Sequence, residues 1–164
     1  LRLRMVELAI ADNPRFAASS VEIERSGPSY SVDTLAAMRS GAPDVMPYFI
    51  VGYDAFREIH TWHDSERMFD VASLVVMNRP PDDLDTSIDH LPVAARERFC
   101  YHPATQSYRH QSGTTLRFVR ITPIDISATM VRRRLREGRS VRYLIPPAVE
   151  RFIRDHRLYG ATID

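Results

Sequence analysis

The sequence predicts an α/β fold built on a doubly wound, mainly parallel sheet, and three observations lead to it. Residues 47–52 and 72–77 form short apolar runs without polar alternation, a pattern typical of strands buried on both faces of a parallel sheet. Segments with the apolar spacing of helices separate the candidate strands. The chain has 164 residues, 44% of them hydrophobic, which suits one domain with its own core.

Local signals set the expected elements along the chain. Alternation at residues 16–25, with Val21 and Ile23 facing inward, predicts a strand with one wet face. We expect Ser31 and Ser127 to cap helices. Residues 82–113 read mainly as loop, with one helix near residues 92–99. The expected helices are 1–11, 31–41, 54–60, 65–71, 127–137 and one beginning at 146, and a further strand is expected at 116–121.

Composition excludes several kinds of chemistry. The chain contains no lysine, so a P-loop lysine and a Schiff base are excluded. The net charge of +1 gives no global signal for nucleic-acid binding. Cys100 is the single cysteine, which excludes an intramolecular disulfide. We expect a cytoplasmic protein, because no leader and no apolar run of about 20 residues is visible.

Two candidate ligand sites follow the first apolar run. Gly52 and Asp54 lie where that strand ends, the edge at which open α/β sheets bind ligands, and a carboxylate accepts hydrogen bonds from ribose hydroxyls. The alternative is that Asp54 only caps the next helix. Trp62, the single tryptophan, lies among polar residues and could stack on a flat ring or, alternatively, pack in the core.

A third candidate is the start of the helix at Ser127. Free backbone N–H groups, the hydroxyls of Ser127 and Thr129, and Arg132 one turn into the helix together suit a phosphate. The alternative for the hydroxyls is simple capping. We expect most of the other arginines of this segment, Arg133, Arg134, Arg136 and Arg139, to form a solvated face.

Histidine and cysteine give no convincing metal site. His60 and His63 have a His-x-x-His spacing, and Cys100 lies near His102, but neither pair has the further ligands that structural zinc needs. We therefore expect no metal bound by protein side chains alone.

Seven segments in one order resemble the bacterial nicotinate-nucleotide adenylyltransferases over nearly the whole chain. SYSVDTL is similar to the family's Ser-Tyr-Thr and following helix, with Ser31 in place of threonine, and ISATMVR is similar to its Ile-Ser-Ser/Ala-Thr-x-Ile/Val-Arg signature. The segments are MVELAIADNPRF (5–16), ERSGPSYSVDTL (24–35), FIVGYDAF (49–56), HTWHD (60–64), VVMNRP (75–80), DISATMVRRRL (125–135) and YLIPPAVERFIRDHRLYG (143–160).

The resemblance implies a Rossmann-like nucleotidyltransferase fold that transfers AMP from ATP to nicotinate mononucleotide and releases pyrophosphate. It implies that the nicotinate ring stacks on Trp62 and that backbone amides at Ser31 and His63 hold its carboxylate. Gly52 and Asp54 would lie in the nucleotide site and contact ribose. The resemblance further implies Mg²⁺ entering with ATP, small-molecule substrates without nucleic acid or membrane partners, and leaves room for a homo-oligomer. The remaining implied residues, for the ATP phosphates, are Ser127, Thr129 and Arg132.

One part of the family pattern has no match in the sequence. The family begins with a strand and a Gly-Gly-x-Phe-Asp-Pro-x-His-x-Gly-His loop whose histidines stabilise the reacting phosphates. We therefore expect residues 1–164 to be the C-terminal portion of one nucleotidyltransferase domain, with residues 125–164 forming the phosphate-site and terminal helices. No catalytic residue is assigned, and negligible activity is expected of this segment alone. The alternatives are another adenylyl- or cytidylyltransferase of the same superfamily, or a non-catalytic nucleotide- or RNA-binding module.

Overall fold

The computed structural model describes residues 1–78 and 86–161. The helices are α1 (Arg2–Ile10), α2 (Val21–Glu24), α3 (Ser31–Gly41), α4 (Tyr53–Arg57), α5 (Ser65–Val71), α6 (Val93–Arg96), α7 (Ala128–Arg136) and α8 (Pro147–Asp155). Short 3₁₀ turns lie at Ile59–Thr61, Pro103–Thr105 and Leu158–Gly160. The strands are β1 (Tyr48–Gly52), β2 (Ser73–Asn78), β3 (Phe99–His102), β4 (Ser107–His110) and β5 (Thr115–Arg120).

The chain divides into two compact units. The first, which we call the sheet unit, is Arg25–Pro123, and the second, which we call the terminal unit, combines Leu1–Glu24 with Ile124–Asp164. The sheet unit contains every strand listed above together with α3 to α6, and the terminal unit contains α1, α2, α7 and α8.

The five strands form one sheet in the order β1-β2-β5-β4-β3. The pairs β1–β2 and β2–β5 are parallel, whereas β4 is antiparallel to both β5 and β3. Four of the five strands therefore point the same way, which confirms the predicted α/β, mainly parallel sheet. The carboxyl ends of β1, β2 and β5 meet at one edge, because Gly52 pairs with Met77 and Asn78 pairs with Arg120.

One face of this sheet carries the main core. Alternate residues of the central strands are almost fully buried, among them Leu74, Val76 and Leu116 at 1%, 0% and 0% exposure. They belong to a core cluster with Val32 of α3 and Phe56 of α4. A fully buried phenylalanine such as Phe56 contributes about 3–5 kcal/mol relative to alanine. The helices are therefore held to the sheet mainly by burial of apolar side chains.

The strand predicted for residues 16–25 is wrong. Val21–Glu24 is a short helix instead, and Ile23 is 69% exposed. The backbone N–H groups of Ile23 and Glu24 donate to the carbonyl of Ser20, whose hydroxyl also binds the Glu24 side chain at 2.5 Å. Alternation over four residues cannot by itself produce a strand, because a strand needs a neighbour to complete its hydrogen bonds.

The predicted strand at residues 47–52 is confirmed as β1, but its predicted burial on both faces is wrong. Among the described strands β1 pairs only with β2, so it lies at an edge of the sheet. Tyr48 and Ile50 are about 60% exposed, 63% and 60% respectively, while Val51 faces the core. The apolar run alone does not distinguish an edge strand from a central one.

The reading of residues 82–113 as mainly loop is also wrong where the structure describes them. Phe99–His102 and Ser107–His110 form the antiparallel pair β3–β4, which extends the sheet beyond β5. Two histidines, two tyrosines, Arg109 and Ser107 make up most of these short strands, so apolar periodicity gave no signal. The predicted helix near residues 92–99 is confirmed only as the single turn Val93–Arg96. Residues 79–85, including the end of the VVMNRP motif, lie outside the described residues.

A buried histidine links β4 to α5. The His110 ring is 2% exposed, its Nδ1 lies 2.8 Å from the Ser112 hydroxyl, and that hydroxyl donates to the carbonyl of Phe69. The ring Nε2 has no hydrogen-bond partner among the described residues. Burial lowers the pKa of His110, and the nearby Arg98 guanidinium lowers it further, against a smaller opposing effect of Asp70. The folded chain therefore favours the neutral ring.

The terminal unit has its own core. Val131 and Leu135 of α7 and Val149 and Ile153 of α8 are buried together, and Met5 of α1 packs against them. The predicted helices at 1–11, 127–137 and 146 onward are confirmed as α1, α7 and α8. Gly138 has a φ of +64°, the left-handed conformation in which glycine commonly ends a helix.

Candidate functional site

Ser31 and His63 lie on segments that a ring stack joins within the sheet unit. Ser31 is the first residue of α3, and the residue before it, Tyr30, occupies the N-cap position with no side-chain cap hydrogen bond. The prediction that Ser31 caps this helix is therefore wrong by one residue. The Tyr30 ring stacks on the His63 ring with centroids 4.0 Å apart and planes inclined by 25°. The SYS and TWH motifs, more than 30 residues apart in sequence, are thus brought together.

Trp62 lies between the surface and the core. It follows the 3₁₀ turn Ile59–Thr61, is half-buried, and packs against the main core cluster. Its ring meets Phe49 of β1 edge to face, with centroids 6.2 Å apart. Part of the Trp62 side chain therefore packs in the core, as the alternative interpretation predicted. Stacking of Trp62 on a pyridine ring stays a prediction.

Gly52 and Asp54 form a close backbone-to-carboxylate contact at the end of β1. Gly52 is the N-cap of α4, and Asp54 lies in the first turn of that helix, so the alternative that Asp54 caps it is wrong. A Cβ atom at Gly52 would lie 2.6 Å from the Asp54 Oδ1. Glycine thus leaves the space into which the exposed Asp54 carboxylate folds, at the edge where the parallel strands end.

The first turn of α7 has the geometry predicted for it. Ser127 is the N-cap residue, and its hydroxyl accepts a hydrogen bond from the Met130 backbone N–H at 3.1 Å. Capping therefore accounts for one role of Ser127. Thr129 and Arg132 are exposed, and no acidic residue lies in the first turn. The remaining N–H groups of this turn and the helix dipole favour an anion here.

Arg132 is held by an aromatic ring and borders an apolar groove. Its guanidinium carbon lies 5.9 Å from the centre of the Tyr159 ring, a cation–π contact at the protein surface. A groove of about 420 Å³ in the terminal unit is lined by Arg132, Ser127 and Arg2, along with apolar residues of α1 and α8. Two of the predicted phosphate residues thus open onto one space that carries two guanidinium groups.

The neighbouring arginines differ from Arg132 in their contacts. Arg134 donates from Nε to the carbonyl of Ser140 at 2.8 Å, and Arg139 forms an ion pair with Glu137. These contacts stabilise the end of α7 and the loop after it. Arg133, Arg136 and Arg139 are exposed, which confirms the predicted solvated face for most of these arginines, whereas Arg134 is half-buried and serves local structure.

Neither a protein metal cage nor a membrane helix occurs in the described ranges. Across residues 1–78 and 86–161, no group of three or more His, Cys, Asp or Glu side chains is arranged to hold a metal ion. Cys100 is exposed and forms no disulfide within these ranges. Within the same ranges, no helix has both the length and the apolar character to cross a membrane.

Two residues that contact the candidate site residues were not assigned a role from sequence. Tyr30 belongs to the SYS motif and Tyr159 to the C-terminal YG pair, so both lie inside segments that carry the family resemblance. An aromatic residue immediately before a helix start was the available signal for Tyr30. No local pattern pairs Tyr159 with Arg132, because that contact depends on how the end of the chain returns to α7.

Open α/β sheets bind ligands beyond the carboxyl ends of their parallel strands, and Gly52 and Asp54 lie at that edge. A family model described as cytidylyltransferase-like matches residues 1–134. A probable nicotinate-nucleotide adenylyltransferase of Geobacter sulfurreducens is 44% identical over 159 residues, which are 97% of this chain and 74% of the relative. That of Syntrophotalea carbinolica is 44% identical over 158 residues, 96% of this chain and 72% of the relative. The chain belongs to the nicotinate-nucleotide adenylyltransferases, a family of nucleotidyltransferases.

A solved structure shows the same fold at low sequence identity. Plasmodium falciparum nicotinic acid mononucleotide adenylyltransferase, complexed with APC, matches with a TM-score of 0.66 and 16% identity, over 99% of this chain and 76% of that one. The same Plasmodium enzyme complexed with NaAD matches with a TM-score of 0.65. The fold of this chain is therefore that of the nucleotidyltransferases.

Proposed function

We propose that this protein transfers AMP from ATP to nicotinate mononucleotide, giving nicotinate adenine dinucleotide and pyrophosphate. A phosphate oxygen of the mononucleotide attacks the α-phosphorus of ATP. The new P–O bond forms as the bond to the β-phosphate oxygen breaks, and pyrophosphate leaves with that electron pair. No covalent enzyme intermediate is involved, which is compatible with a chain that contains no lysine.

The observation that carries the proposal is the stack between Tyr30 and His63, because it unites the two segments implied to bind nicotinate. Trp62 immediately precedes His63 and offers an indole face for the pyridine ring. Backbone amides at Ser31 and His63 bind the ring carboxylate. Relatives at 44% identity over 97% of this chain bear the matching name.

The nucleotide parts of the substrates are assigned to the strand end and to α7. Asp54 accepts hydrogen bonds from a ribose, with Gly52 leaving room for its carboxylate. Ser127, Thr129 and Arg132 bind ATP phosphates at the start of α7, where backbone N–H groups and a guanidinium offset negative charge. These residues act by positioning and charge stabilisation, the main sources of catalysis in phosphoryl-transfer chemistry.

Enzymes of this family use a divalent cation with ATP, and we propose Mg²⁺. The described residues hold no cluster of three carboxylate, histidine or cysteine side chains. We therefore propose a cation that enters bound to the triphosphate and keeps water molecules as its other ligands, as Mg²⁺ usually does. We therefore treat MgATP as the substrate.

The test is pyrophosphate release from ATP and nicotinate mononucleotide, measured beside three replacements. It uses residues 1–164 preceded by the family's N-terminal loop segment, because negligible activity is expected of residues 1–164 alone. Nicotinamide mononucleotide and phosphopantetheine replace the acceptor, and CTP replaces ATP. We expect the highest kcat/KM with ATP and nicotinate mononucleotide. A higher kcat/KM with phosphopantetheine or CTP would instead assign the protein to another branch of the superfamily.

A non-catalytic nucleic-acid-binding role is separated by a salt titration. Binding driven by phosphate contacts weakens steeply as salt rises, with the logarithm of affinity falling in proportion to the number of contacts. Salt-sensitive RNA binding without pyrophosphate release would favour that role.

A further inference from the structure

We propose that the face of the sheet opposite the main core binds a nucleoside monophosphate, at a site separate from the edge where the parallel strands end. The site is a cavity of about 330 Å³ in the sheet unit, with Arg109 of β4 and Arg117 of β5 in its lining. This volume lies at the lower end of the range for pockets that bind small molecules. The inference does not depend on the proposed function, because it concerns a different part of the sheet.

The strand register gathers the lining residues on one face of the sheet. Arg117 pairs with Val75 on one side and with Ser107 on the other, and Ser107 pairs in turn with His102. Leu116, the neighbour of Arg117 in sequence, is fully buried in the main core. Because successive side chains of a strand point to opposite faces, the row that contains Arg117 lies on the face away from that core.

Two guanidinium groups in this cavity lack a protein counter-ion. Arg109 pairs with Thr115, two residues before Arg117, so the two arginines are diagonal neighbours on adjacent antiparallel strands, with Cα atoms about 7–8 Å apart. Both are exposed, and among residues 1–78 and 86–161 no ion pair or hydrogen bond engages either guanidinium. The described lining of the cavity contains no acidic side chain. Two like charges held this close favour an anion between them.

Hydroxyl groups complete the phosphate end of the cavity. Ser107 is only 5% exposed, and its Oγ lies 2.8 Å from the Thr105 Oγ1. Each hydroxyl carries one hydrogen, so the bond between them uses one and leaves the other for a further acceptor. The His102 carbonyl lies 3.5 Å from the Thr105 Oγ1, which is long for an O–H···O bond. A phosphate oxygen in the cavity is a better acceptor, and its neighbouring oxygens suit the two guanidinium groups.

Tyr48 gives the cavity an aromatic end. Tyr48 is 63% exposed, is the first residue of β1, and lines the cavity together with Val75. Because β1 lies two strands from β5 and neighbouring strands are about 4.8 Å apart, Tyr48 and Arg117 are about 10 Å apart across the sheet. A ligand that contacts both ends is therefore elongated, with a phosphate at one end and a flat ring at the other. A nucleoside monophosphate has this form.

The cavity lies at the opposite end of the parallel strands from the candidate ribose site. Tyr48 and Thr115 are the first residues of β1 and β5, whereas Gly52 is the last residue of β1. Four residues of a strand span about 13 Å. A nucleotide in the cavity therefore leaves the strand end at Gly52 and Asp54 free, and both can be occupied at once.

The test is an NMR titration of the arginine Nε–H resonances, assigned with the variants Arg109→Gln and Arg117→Gln. The protein is residues 1–164 preceded by the family's N-terminal loop segment, and the ionic strength is kept constant. The probes are AMP, inorganic phosphate and adenosine. We expect the Arg109 and Arg117 resonances to shift saturably with AMP and with phosphate, but not with adenosine. The dissociation constant should be about 5-fold lower for AMP than for phosphate, the lower end of the range for a stacked base.

The variants remove one part of the site at a time. Loss of either guanidinium should weaken AMP binding about 10-fold, measured on the arginine that remains, because a hydrogen bond to a charged group contributes at least this factor. Tyr48→Ala should make AMP and phosphate bind equally. Arg151→Gln is the matched control, since Arg151 is an exposed arginine of α8 that does not line the cavity. Arg151→Gln and Arg132→Gln should both leave these dissociation constants unchanged.

Three results would overturn the inference. Shifts that do not saturate and are equal for all exposed arginines would show only screening by bulk anions, which acts on every exposed guanidinium alike. Equal dissociation constants for AMP and phosphate in the wild-type protein would remove the nucleotide assignment. Loss of the shifts in Arg132→Gln would place the ligand at the start of α7 instead. A protein that releases no pyrophosphate but shows the expected shifts would contradict the proposed function alone.

Discussion

Adding one methyl group at Gly52 should disable the carboxylate of Asp54 without unfolding the protein. The backbone of Gly52 has φ −70° and ψ 151°, a conformation that alanine adopts freely. The new Cβ would lie 2.6 Å from the Asp54 Oδ1, well inside the 3.0 Å that real Cβ contacts respect. The carboxylate must therefore rotate away, whereas the main chain need not move.

The cost should fall on binding rather than on stability. Bound functional groups need to lie within about 0.5 Å of their productive position. A hydrogen bond to a charged group contributes about 1.5–3 kcal/mol, so loss of the ribose contact corresponds to roughly 10- to 150-fold in affinity. The free energy of unfolding should change by less than about 1 kcal/mol, because the atom displaced is the end of a flexible side chain.

The assay combines kcat/KM for pyrophosphate release, measured with the family's N-terminal loop segment preceding residue 1, with urea unfolding. We expect Gly52→Ala and Asp54→Ala to lower kcat/KM by similar factors. In the Asp54→Ala background, Gly52→Ala should add little, because the clashing carboxylate is gone. Gly41→Ala is the control, since a Cβ at Gly41 meets nothing within 4 Å. Full activity of Gly52→Ala beside a damaged Asp54→Ala, or a loss of several kcal/mol in stability, would refute this reasoning.

Three further results are expected. Trp62→Leu should weaken nicotinate mononucleotide by about 1–3 kcal/mol and ATP much less, because only the pyridine ring loses a stacking partner; both dissociation constants report this. Arg132→Ala should lower kcat and raise the KM for ATP, whereas Arg134→Ala should affect mainly thermal stability, because Arg134 binds the carbonyl of Ser140. The free energy of unfolding should fall as the pH drops below about 6.5, because His110 is protonated more readily in the unfolded chain than in the folded one. Urea unfolding at several pH values measures this fall. In the His110→Gln variant the free energy of unfolding should depend less on pH.

Each of these expectations has a contrary outcome. Equal weakening of both substrates in Trp62→Leu would leave the indole a purely structural role. Arg134→Ala as damaging to turnover as Arg132→Ala would point to a diffuse charge effect rather than a phosphate contact. For His110, the lowered pKa means that the folded state binds fewer protons between that pKa and about 6.5, so stability must rise with pH in this window. A wild-type curve that is no steeper there than that of His110→Gln would contradict the assignment.

Helices with regular apolar spacing and a clear capping residue were predicted well, because both features depend only on residues that are neighbours in sequence. The helix at Ser65–Val71 and the start of α7 at Ser127 follow from local spacing and from a capping hydroxyl. The β3–β4 pair was missed because its polar residues form strands only when β5 offers an edge for pairing. The lack of a neighbouring strand explains the opposite error at Val21–Glu24, where a strand was predicted and a helix is found. No described strand lies beside this alternating segment to complete its hydrogen bonds.

In the candidate site, too, local sequence predicted the residue types but not the contacts between side chains. Residue types at Gly52, Asp54 and Trp62 indicated ligand chemistry, and family resemblance supplied their roles. The carboxylate folded over Gly52 and the ring of Tyr30 on His63 could not be read from the sequence, because both depend on distances between side chains. Such contacts are set by packing, which periodicity does not encode.

The division of the chain also bears on the order in which the protein can be completed during synthesis. The sheet unit is one continuous stretch, Arg25–Pro123, so all of its strands are available before α7 and α8 have been made. In contrast, α1 packs against α8, which begins at Pro147. At typical translation rates α1 waits on the order of ten seconds for that partner. Until α8 has been made, Met5 and Leu8 of α1 therefore lack the apolar partners that cover part of them in the folded chain.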